Sequence, residues 1–186
     1  MTQVDFHKQF PGTGIGKQYP WLLLQLKQLW PSGYYNTRSC LDWGAGLGGT
    51  AEWLQLELPG LDVDCYDPYV RTYSSTHYQN RYYDVVYSCD VLEHIPRADC
   101  VAKGGALAWI NSCTRGPALL IIDLTPAKKT LPDGTNAHVN LQTPQQWIKD
   151  IELWMRVESW EIDVQPDKHF GERRRLCVRA TRGKKM

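Results

Sequence analysis

Short apolar runs rich in valine, isoleucine and leucine alternate along this chain with segments whose apolar residues recur at helical spacing. A run of this kind between turn formers is typical of a buried strand, and a period near 3.6 is typical of an amphipathic helix. The alternation predicts an α/β fold, with a mostly parallel twisted sheet and helices on both faces. The predicted strands are 39–43, 61–67, 83–89 and 118–124, and the predicted helices are 19–30, 49–58, 97–113 and 143–154.

The end of the chain follows a different pattern. Residues 157–165 and 174–182 alternate apolar and polar side chains, which predicts an antiparallel pair that closes the sheet. Local signals also mark two helices. Thr143 followed by Pro144 indicates a helix start, whereas the glycine pair at 104–105 weakens the longest predicted helix.

The chain has 186 residues, enough for one well-packed domain and short for two, so we expect a single domain over residues 1–186. Hydrophobic residues make up 42% of it, and no apolar run is long enough to span a bilayer. The first ten residues lack the apolar core of a secretion signal, so we expect a cytoplasmic protein with no membrane partner. The six cysteines lie far apart, which is typical of reduced buried thiols and not of a metal or redox pair.

Charge narrows the range of partners. The net charge is +1, which argues against a strong nucleic-acid binder, because affinity for a phosphate backbone rests on a surplus of lysine and arginine. The charge is uneven, however, since residues 171–186 are clearly basic. A solvated strand with a basic tail is the favoured interpretation, and a contact between this end and a nucleic acid is the alternative.

The segment LDWGAGLGG, between the first predicted strand and the second predicted helix, fits two binding patterns. Gly44, Gly46 and Gly49 satisfy the G-x-G-x-x-G pattern of dinucleotide-binding folds. Asp42 followed by Gly44, Gly46 and Gly48 satisfies D-x-G-x-G-x-G instead. In the second pattern an acidic residue ends the strand immediately before the glycines.

This acidic residue decides between the two patterns. A carboxylate beside a bound pyrophosphate is repulsive in a low-dielectric pocket, whereas S-adenosylmethionine carries an ammonium and a sulfonium and no phosphate. Asp42 would help to neutralise that cationic end, directly or through the loop, while the glycines allow close approach of the backbone. Asp67 ends the second predicted strand, where a carboxylate can accept hydrogen bonds from both ribose hydroxyls. Because ligands bind at the carboxyl ends of such strands, we expect both acids at one site.

Three segments, LDWGAGLGG, YDP and DVVYSCDVLEHIP, resemble in order the first, second and fourth motifs of class I S-adenosylmethionine-dependent methyltransferases. CDVLEHIP is similar to a segment of small-molecule methyltransferases of quinone biosynthesis, and TPAKKTLPDGTNAHVNLQTPQQW resembles short methyltransferase-like proteins of bacteria and their phages. The resemblance runs from about residue 12 to residue 165 and implies the Rossmann-like class I methyltransferase fold. It also implies a set of residues that line the cofactor, with the cysteine as a wall beside the adenine: Asp42, Gly44, Gly46, Asp67, Pro68, Cys89 and Asp90.

One region departs from the pattern of this family. Class I methyltransferases usually place a helix and a further strand between the ribose-binding acid and the fourth motif, and that strand ends near an aspartate that contacts the adenine. In this chain only PYVRTYSSTHYQNRYY lies between Asp67 and Asp84. We therefore expect a shortened helix and a rudimentary or missing strand, and the motifs assign no residue to the adenine amino group.

The acceptor side is predicted from residues that can take up a proton, because methyl transfer to a hydroxyl or an amine is helped by a nearby base. His138 is the candidate base, since it lies in the turn-rich segment AKKTLPDGTNAHVN and titrates near neutral pH. A histidine that only fixes the loop through the backbone is the equal alternative. For Glu93 and His94 a structural role is favoured, with His94 orienting the start of the next helix.

The N-terminal segment is a candidate cover for the cofactor. Its sequence FPGTGIGKQYPW places three glycines ahead of Lys17 and Tyr19, an arrangement that suits a segment closing over a ligand. We expect residues 1–36 to cover the cofactor, with Lys17 or Tyr19 reaching its carboxylate. A disordered lead-in is the alternative.

Together with the resemblance, these residues predict methyl transfer from S-adenosylmethionine to a small-molecule or nucleotide-like acceptor, with His138 assisting deprotonation. An RNA or protein methyltransferase that docks through the basic C-terminus is one alternative. A module that binds the cofactor without turnover is another, favoured by the shortened adenine side. A nicotinamide dehydrogenase is disfavoured by Asp42, whose charge would oppose a pyrophosphate.

Overall fold

The computed structural model describes residues 18–31, 38–74 and 81–183, and the structural statements below concern those residues. The strands are β1 (Ser39–Trp43), β2 (Asp62–Tyr66), β3 (Val85–Cys89), β4 (Pro117–Asp123), β5 (Met155–Asp167) and β6 (Gly171–Arg182). The helices are α1 (Pro20–Leu29), α2 (Gly49–Glu57), α3 (Arg97–Val101), α4 (Ala106–Cys113) and α5 (Pro144–Glu152), with a short 3₁₀ helix at Leu92–His94.

The six strands form one sheet in the order β2-β1-β3-β4-β6-β5. β1 pairs in parallel with β2 and β3, and β3 pairs in parallel with β4. β6 runs antiparallel to both β4 and β5. The predicted α/β fold, mostly parallel with an antiparallel closing pair, is therefore confirmed. The four parallel strands bring their carboxyl ends to one edge of the sheet.

Helices cover both faces of the sheet, and neighbouring residues of one strand are buried on opposite sides. On one face the strand residues Leu41, Val86 and Leu120 pack with Leu107, Ile110, Trp147 and Ile151 of α4 and α5. On the other face Cys40, Val85 and Leu119 pack with Leu22, Leu26 and Leu54 of α1 and α2. Burial on both sides explains why the central strands are continuous apolar runs. All seven residues of β4 are buried.

Two sequence signals at helix boundaries have different outcomes. The predicted start at Thr143 is confirmed, because its side chain and that of Gln146 form a capping box, with Pro144 in the first turn. The single helix predicted for 97–113 is wrong, since the chain forms α3 and α4 with a break at the glycine pair. Gly104 has a φ of +80°, a conformation that ends a helix and favours glycine.

The chain between β2 and β3 is short, and β2 is the edge strand of the sheet formed by the described residues. Residues 68–74 contain consecutive turns, whereas residues 75–80 lie outside the described part. The shortening that the sequence indicates is thus present in the described sheet, which has no strand outside β2. Among the described residues, no helix is both long enough and apolar enough to cross a bilayer.

The closing hairpin is longer than the sequence indicates. β5 has 13 residues and β6 has 12, against seven in β4, so the hairpin continues beyond the edge where the parallel strands end. β4 pairs with β6 as far as Asp123 opposite Arg175. The remaining residues of the hairpin pair with each other and project past the sheet.

The glycine break between α3 and α4 gives a test of the fold. A Cβ atom on Gly105 would lie 2.2 Å from the backbone oxygen of Asp99, whereas a Cβ on Gly104 meets no atom within 4 Å. We expect Gly105→Ala to lower the free energy of unfolding by about 2 kcal/mol or more, since the backbone must move. Gly104→Ala, which carries only backbone strain, is the matched control and should cost about 1 kcal/mol. Equal denaturant midpoints for the two variants would contradict this account.

Candidate active site

A cleft of about 390 Å³ lies at the carboxyl ends of the four parallel strands. Its size is within the range of small-molecule sites. The residues at the strand ends line it, as the sequence predicts for ligand-binding positions. Nine predicted site residues line this cleft: Tyr19, Asp42, Gly44, Gly46, Asp67, Pro68, Cys89, Asp90 and His138. Lys17 lies outside the described residues, so its predicted contact with the cofactor carboxylate stays a prediction.

The glycine loop between β1 and α2 adopts a backbone that only glycine accepts readily. Gly44, Gly46 and Gly48 have φ values of +83°, +56° and +84°. These are the glycines of the D-x-G-x-G-x-G spacing, whereas Gly49 of the dinucleotide spacing begins helix α2. A Cβ on Gly44 would lie 2.6 Å from the side chain of Val91. The loop is therefore pressed against the segment after β3, and its backbone forms the floor of the cleft.

Asp67 holds the glycine loop to the end of β2. One carboxylate oxygen accepts a hydrogen bond of 2.9 Å from the backbone N–H of Gly46, and the other accepts one of 2.9 Å from the N–H of Tyr69. The side chain is buried but lines the cleft. A carboxylate has about four lone-pair positions, so Asp67 can accept further hydrogen bonds from a ligand while it stays fixed by the backbone.

Asp42 is 2% exposed, and its Oδ2 accepts no hydrogen bond from the described residues. Burial raises the pKa of its carboxyl to about 8; Tyr87 opposes the increase and Asp67 adds to it. Near neutral pH the carboxyl is therefore mostly protonated, in contrast to the fixed negative charge assumed from the sequence. A cation beside it would favour the ionised form.

Among the described non-glycine residues, Asp90 alone has a positive φ, of 53°. Such a backbone is uncommon for an aspartate and stores strain that neighbouring contacts must offset. Arg175 of β6 makes two hydrogen bonds to its carboxylate, from Nε at 2.9 Å and from a terminal nitrogen at 3.1 Å. Tyr19 donates a third at 3.2 Å. The hydroxyl that the sequence assigns to the cofactor carboxylate thus contacts a protein carboxylate.

The far wall of the cleft comes from the hairpin and from the loop after β4. Arg173 of β6 forms an ion pair with Asp123 at the end of β4. Lys128 in the loop forms another with Asp167 of β5, at 3.1 Å. Phe170, in the turn of the hairpin, also lines the cleft. Sequence analysis missed the two arginines of β6, because a basic stretch near a chain end has the pattern of a solvated strand.

His138 is buried in the loop after β4, where it lines the cleft, and its ring orientation is fixed. Its Nδ1 lies 2.5 Å from the backbone oxygen of Thr125. Because a carbonyl only accepts, Nδ1 carries the hydrogen and Nε2 carries the lone pair. Burial lowers the pKa of His138, against the opposing effect of the Thr125 carbonyl. The imidazole is therefore neutral near pH 7, with one nitrogen able to accept a proton.

His94 stands beside it in an edge-to-face arrangement, with ring centroids 4.7 Å apart and an interplanar angle of 81°. Its Nδ1 lies 2.9 Å from the carbonyl oxygen of Ala137, so the same tautomer is favoured. His94 lines the cleft. The sequence predicts that His94 orients the start of the next helix. In the structure His94 does not cap that helix, because α3 has Pro96 at its N-cap and no side-chain cap.

Cys89 belongs to the wall of the cleft and is a poor nucleophile. Burial raises the pKa of its thiol well above the ordinary value, and Asp42 and Asp90 add to the increase. A thiol held in the neutral form does not supply a thiolate. This agrees with its sequence-based assignment to the wall of a binding site.

No family model matches the chain, and no curated protein matches it in sequence. Solved structures resemble it at low identity. PH0226 of Pyrococcus horikoshii OT3 superposes with a TM-score of 0.58 and 12% identity over 96% of this chain and 99% of that one. A second match is the 16S rRNA (adenine(1408)-N(1))-methyltransferase of Catenulisporales acidiphilia, in a W203A mutant solved with S-adenosylmethionine. It superposes with a TM-score of 0.57 and 14% identity, over 91% of this chain and 94% of that one.

The mitomycin 7-O-methyltransferase MmcR gives a TM-score of 0.54 and 14% identity over 97% of this chain. This chain spans 66% of the length of that enzyme. At such identities the likeness concerns architecture. With its mixed six-stranded sheet, helices on both faces and antiparallel closing strands, the chain has the Rossmann-like fold of class I methyltransferases.

Proposed function

We propose that the protein transfers a methyl group from S-adenosylmethionine to a small-molecule or nucleotide-like acceptor. The observation that carries the proposal is the pairing of a D-x-G-x-G-x-G loop with two buried acids, Asp42 and Asp67, in one cleft at the strand ends. The fold is the one that solved methyltransferases share. Asp42 would meet the cationic amino-acid end of such a cofactor, and Asp67 would meet the diol of its ribose.

The cofactor end would be held by residues from β1 and β2. Asp67 would accept hydrogen bonds from the ribose hydroxyls, and the backbone of Gly44 and Gly46 lines the cleft where the ligand would lie. Asp42 faces the cationic end, directly or through the loop. When bound, S-adenosylmethionine supplies the electrophilic methyl group. Lys17 keeps its proposed role at the carboxylate, whereas Tyr19 acts through Asp90 as a positioning residue.

The raised pKa of Asp42 favours a cationic ligand over a phosphate. A neutral carboxyl beside a cation gains by ionising, since the opposite charge stabilises the carboxylate. A pyrophosphate offers no such gain, although a protonated Asp42 would not repel it. The glycine geometry also favours the D-x-G-x-G-x-G pattern over the dinucleotide pattern, because Gly44, Gly46 and Gly48 have positive φ values whereas Gly49 begins helix α2.

At the acceptor end, His138 is the proposed proton acceptor. Transfer of a methyl group to a hydroxyl or an amine releases a proton, and Nε2 of the neutral imidazole can take it up. The enclosing loop and hairpin align the acceptor and exclude water, which are the main contributions a protein makes to an in-line displacement. Phe170 supplies an aromatic surface on this side.

The basic C-terminal strand gives less support to RNA docking than its sequence indicates. Arg173 and Arg175 are held by Asp123 and Asp90, and Arg179 makes a hydrogen bond of 3.0 Å to Glu158. Positive charges that are already paired add little affinity for a phosphate backbone. We therefore favour a small acceptor over a docked RNA strand.

Cofactor binding is tested by calorimetry with S-adenosylhomocysteine. We expect Asp67→Asn to weaken binding about 10- to 100-fold, because hydrogen bonds to a charged group are lost. Asp62→Asn is the matched control, as Asp62 begins the strand that Asp67 follows and has an exposed side chain. Wild-type affinity is expected for the control. Absence of heat with the wild type, or measurable binding of NADH instead, would refute the proposal.

The charge of Asp42 gives a pH test. The pKa of the carboxyl is about 8, so ionising it to meet a cation becomes easier as the pH rises towards that value. We expect the affinity of the wild type for S-adenosylmethionine to increase between about pH 6 and pH 7.5, by at most about tenfold per pH unit. Asp42→Asn cannot ionise and should lack this increase. Calorimetry across the same buffers with Asp62→Asn is the control, and an unchanged increase in the Asp42 variant would contradict the account.

The acceptor is tested by incubating the protein and S-adenosylmethionine, tritiated on the methyl group, with a cell extract. The mixture is then separated into RNA, protein and small-molecule fractions, and the label in each is counted. We expect label in the small-molecule fraction, and about a 10²-fold slower rate for His138→Gln because a general base is lost. His169→Gln, on the exposed turn of the hairpin, is the control. Label confined to RNA or protein would favour those acceptors. Cofactor binding without label in any fraction would favour a non-catalytic module.

A further inference from the structure

Three potential metal ligands meet at the acceptor end of the cleft. A ring nitrogen of His94, a ring nitrogen of His138 and a carboxylate oxygen of Glu93 all lie within 4.8 Å of one another. Glu93 and His94 belong to the 3₁₀ helix after β3, and His138 belongs to the loop after β4. The topology therefore brings the three groups together from two separate segments. Both histidines line the cleft, and Glu93 is buried behind them.

The two histidines are oriented as metal ligands usually are. Each directs Nδ1 to a backbone carbonyl, His94 to Ala137 at 2.9 Å and His138 to Thr125 at 2.5 Å. In metal sites a hydrogen bond of this kind fixes the tautomer and the ring plane and leaves Nε2 to bind the ion. Two adjacent histidines that share this arrangement, with a buried carboxylate beside them, form a set of two nitrogen ligands and one oxygen ligand.

The loop that carries His138 is braced on both sides. The side-chain oxygen of Asn136 accepts hydrogen bonds from the N–H groups of Ala127 and His138, both at 2.9 Å. Its amide nitrogen donates to the carbonyl of Ala127, at 2.9 Å. Asn140 then donates its backbone N–H to the carbonyl of Glu93, at 3.0 Å. The loop is thus tied directly to the segment that holds the other two ligands.

We propose that Glu93, His94 and His138 bind one divalent transition-metal ion. Two imidazoles and one carboxylate suit manganese, iron, cobalt, nickel or zinc, whereas magnesium and calcium prefer oxygen ligands alone. Three protein ligands leave open coordination positions, as catalytic metal sites do. Those positions would face the cleft that His94 and His138 line.

Glu93 also belongs to a second possible ligand set, made of three acids, which is less suited to a cation. Glu93 also lies within 4.8 Å of ligand atoms of Asp90 and Asp123. However, Arg175 already binds Asp90, and Arg173 binds Asp123. A metal ion at that position would have to displace or approach two guanidinium groups, which its charge opposes. The set with the two histidines is therefore the one we assign.

The role of this metal ion rests on the proposed function. A hydroxyl that binds a divalent ion loses its proton more readily, as water does in zinc enzymes. The acceptor would then be an oxygen compound, and its proton would pass to solvent. With the ion bound, His138 would hold it as a ligand and the ion would activate the hydroxyl, whereas the base role proposed above describes the metal-free protein. The substrate class narrows to hydroxyl or phenol acceptors that can reach the open coordination positions.

Cobalt provides the test, because Co²⁺ bound by histidine nitrogen has visible absorption bands. The full chain, prepared without a polyhistidine tag and stripped with EDTA, is titrated with CoCl₂ in the absence of cofactor and acceptor. We expect one ion per chain, and binding weaker by about tenfold or more in His138→Ala, His94→Ala and Glu93→Gln. His169→Ala, which removes an exposed histidine, is the matched control and should bind as the wild type does.

The thermal unfolding transition of each variant establishes that it is folded, and bound cobalt should raise the midpoint of the wild type but not of His138→Ala. If one variant does not fold, the other two ligand variants give the same measurement. Absence of cobalt bands in the wild type, or equal binding by the control and all three ligand variants, would overturn the proposal. Because neither cofactor nor acceptor is present, this result is independent of the test with S-adenosylhomocysteine.

Discussion

Four aspartates that line the cleft have buried carboxyl groups, and the need to compensate them governs how the cleft is built. Asp90 and Asp123 are each bound by an arginine of β6. Asp67 accepts hydrogen bonds from two backbone N–H groups, and Asp42 keeps a proton. Of these four groups, Asp42 is the one whose charge can still appear when a cation binds. Binding of a cation beside Asp42 would therefore add one negative charge to the cleft.

This compensation explains why the hairpin continues past the parallel strands. Arg173 and Arg175 are two residues apart on β6, so their side chains lie on the same face of the sheet. They reach the acids at the ends of β3 and β4 only because β6 extends to that edge. A hairpin that ended level with β4 would keep Arg175, which lies opposite Asp123, but would lose Arg173 and its ion pair with Asp123. The strands that close the sheet therefore also complete the site.

The parts of the site that could be predicted depend on local chemistry. The positive φ values at Gly44 and Gly46 are accessible to few other residues, and an acid at the end of a buried strand marks a ligand position. The contact between Arg175 and Asp90 could not be predicted, because 85 residues separate the two and only tertiary packing joins them. A basic residue on an alternating strand has the same pattern whether it faces solvent or a buried carboxylate. The apolar spacing continues across residues 102–105, so the spacing alone does not predict the break between α3 and α4.

The two ends of the cleft come from different portions of the chain. Residues 42–90 supply the glycine loop and its acids, whereas residues 123–173 supply the histidine loop and the wall formed by the hairpin. Under the proposed function, substitutions in the second portion would change which acceptor fits the cleft and leave the glycine loop and Asp67 in place. The exposed turn that carries Phe170 is therefore a natural starting point for redesigning selectivity.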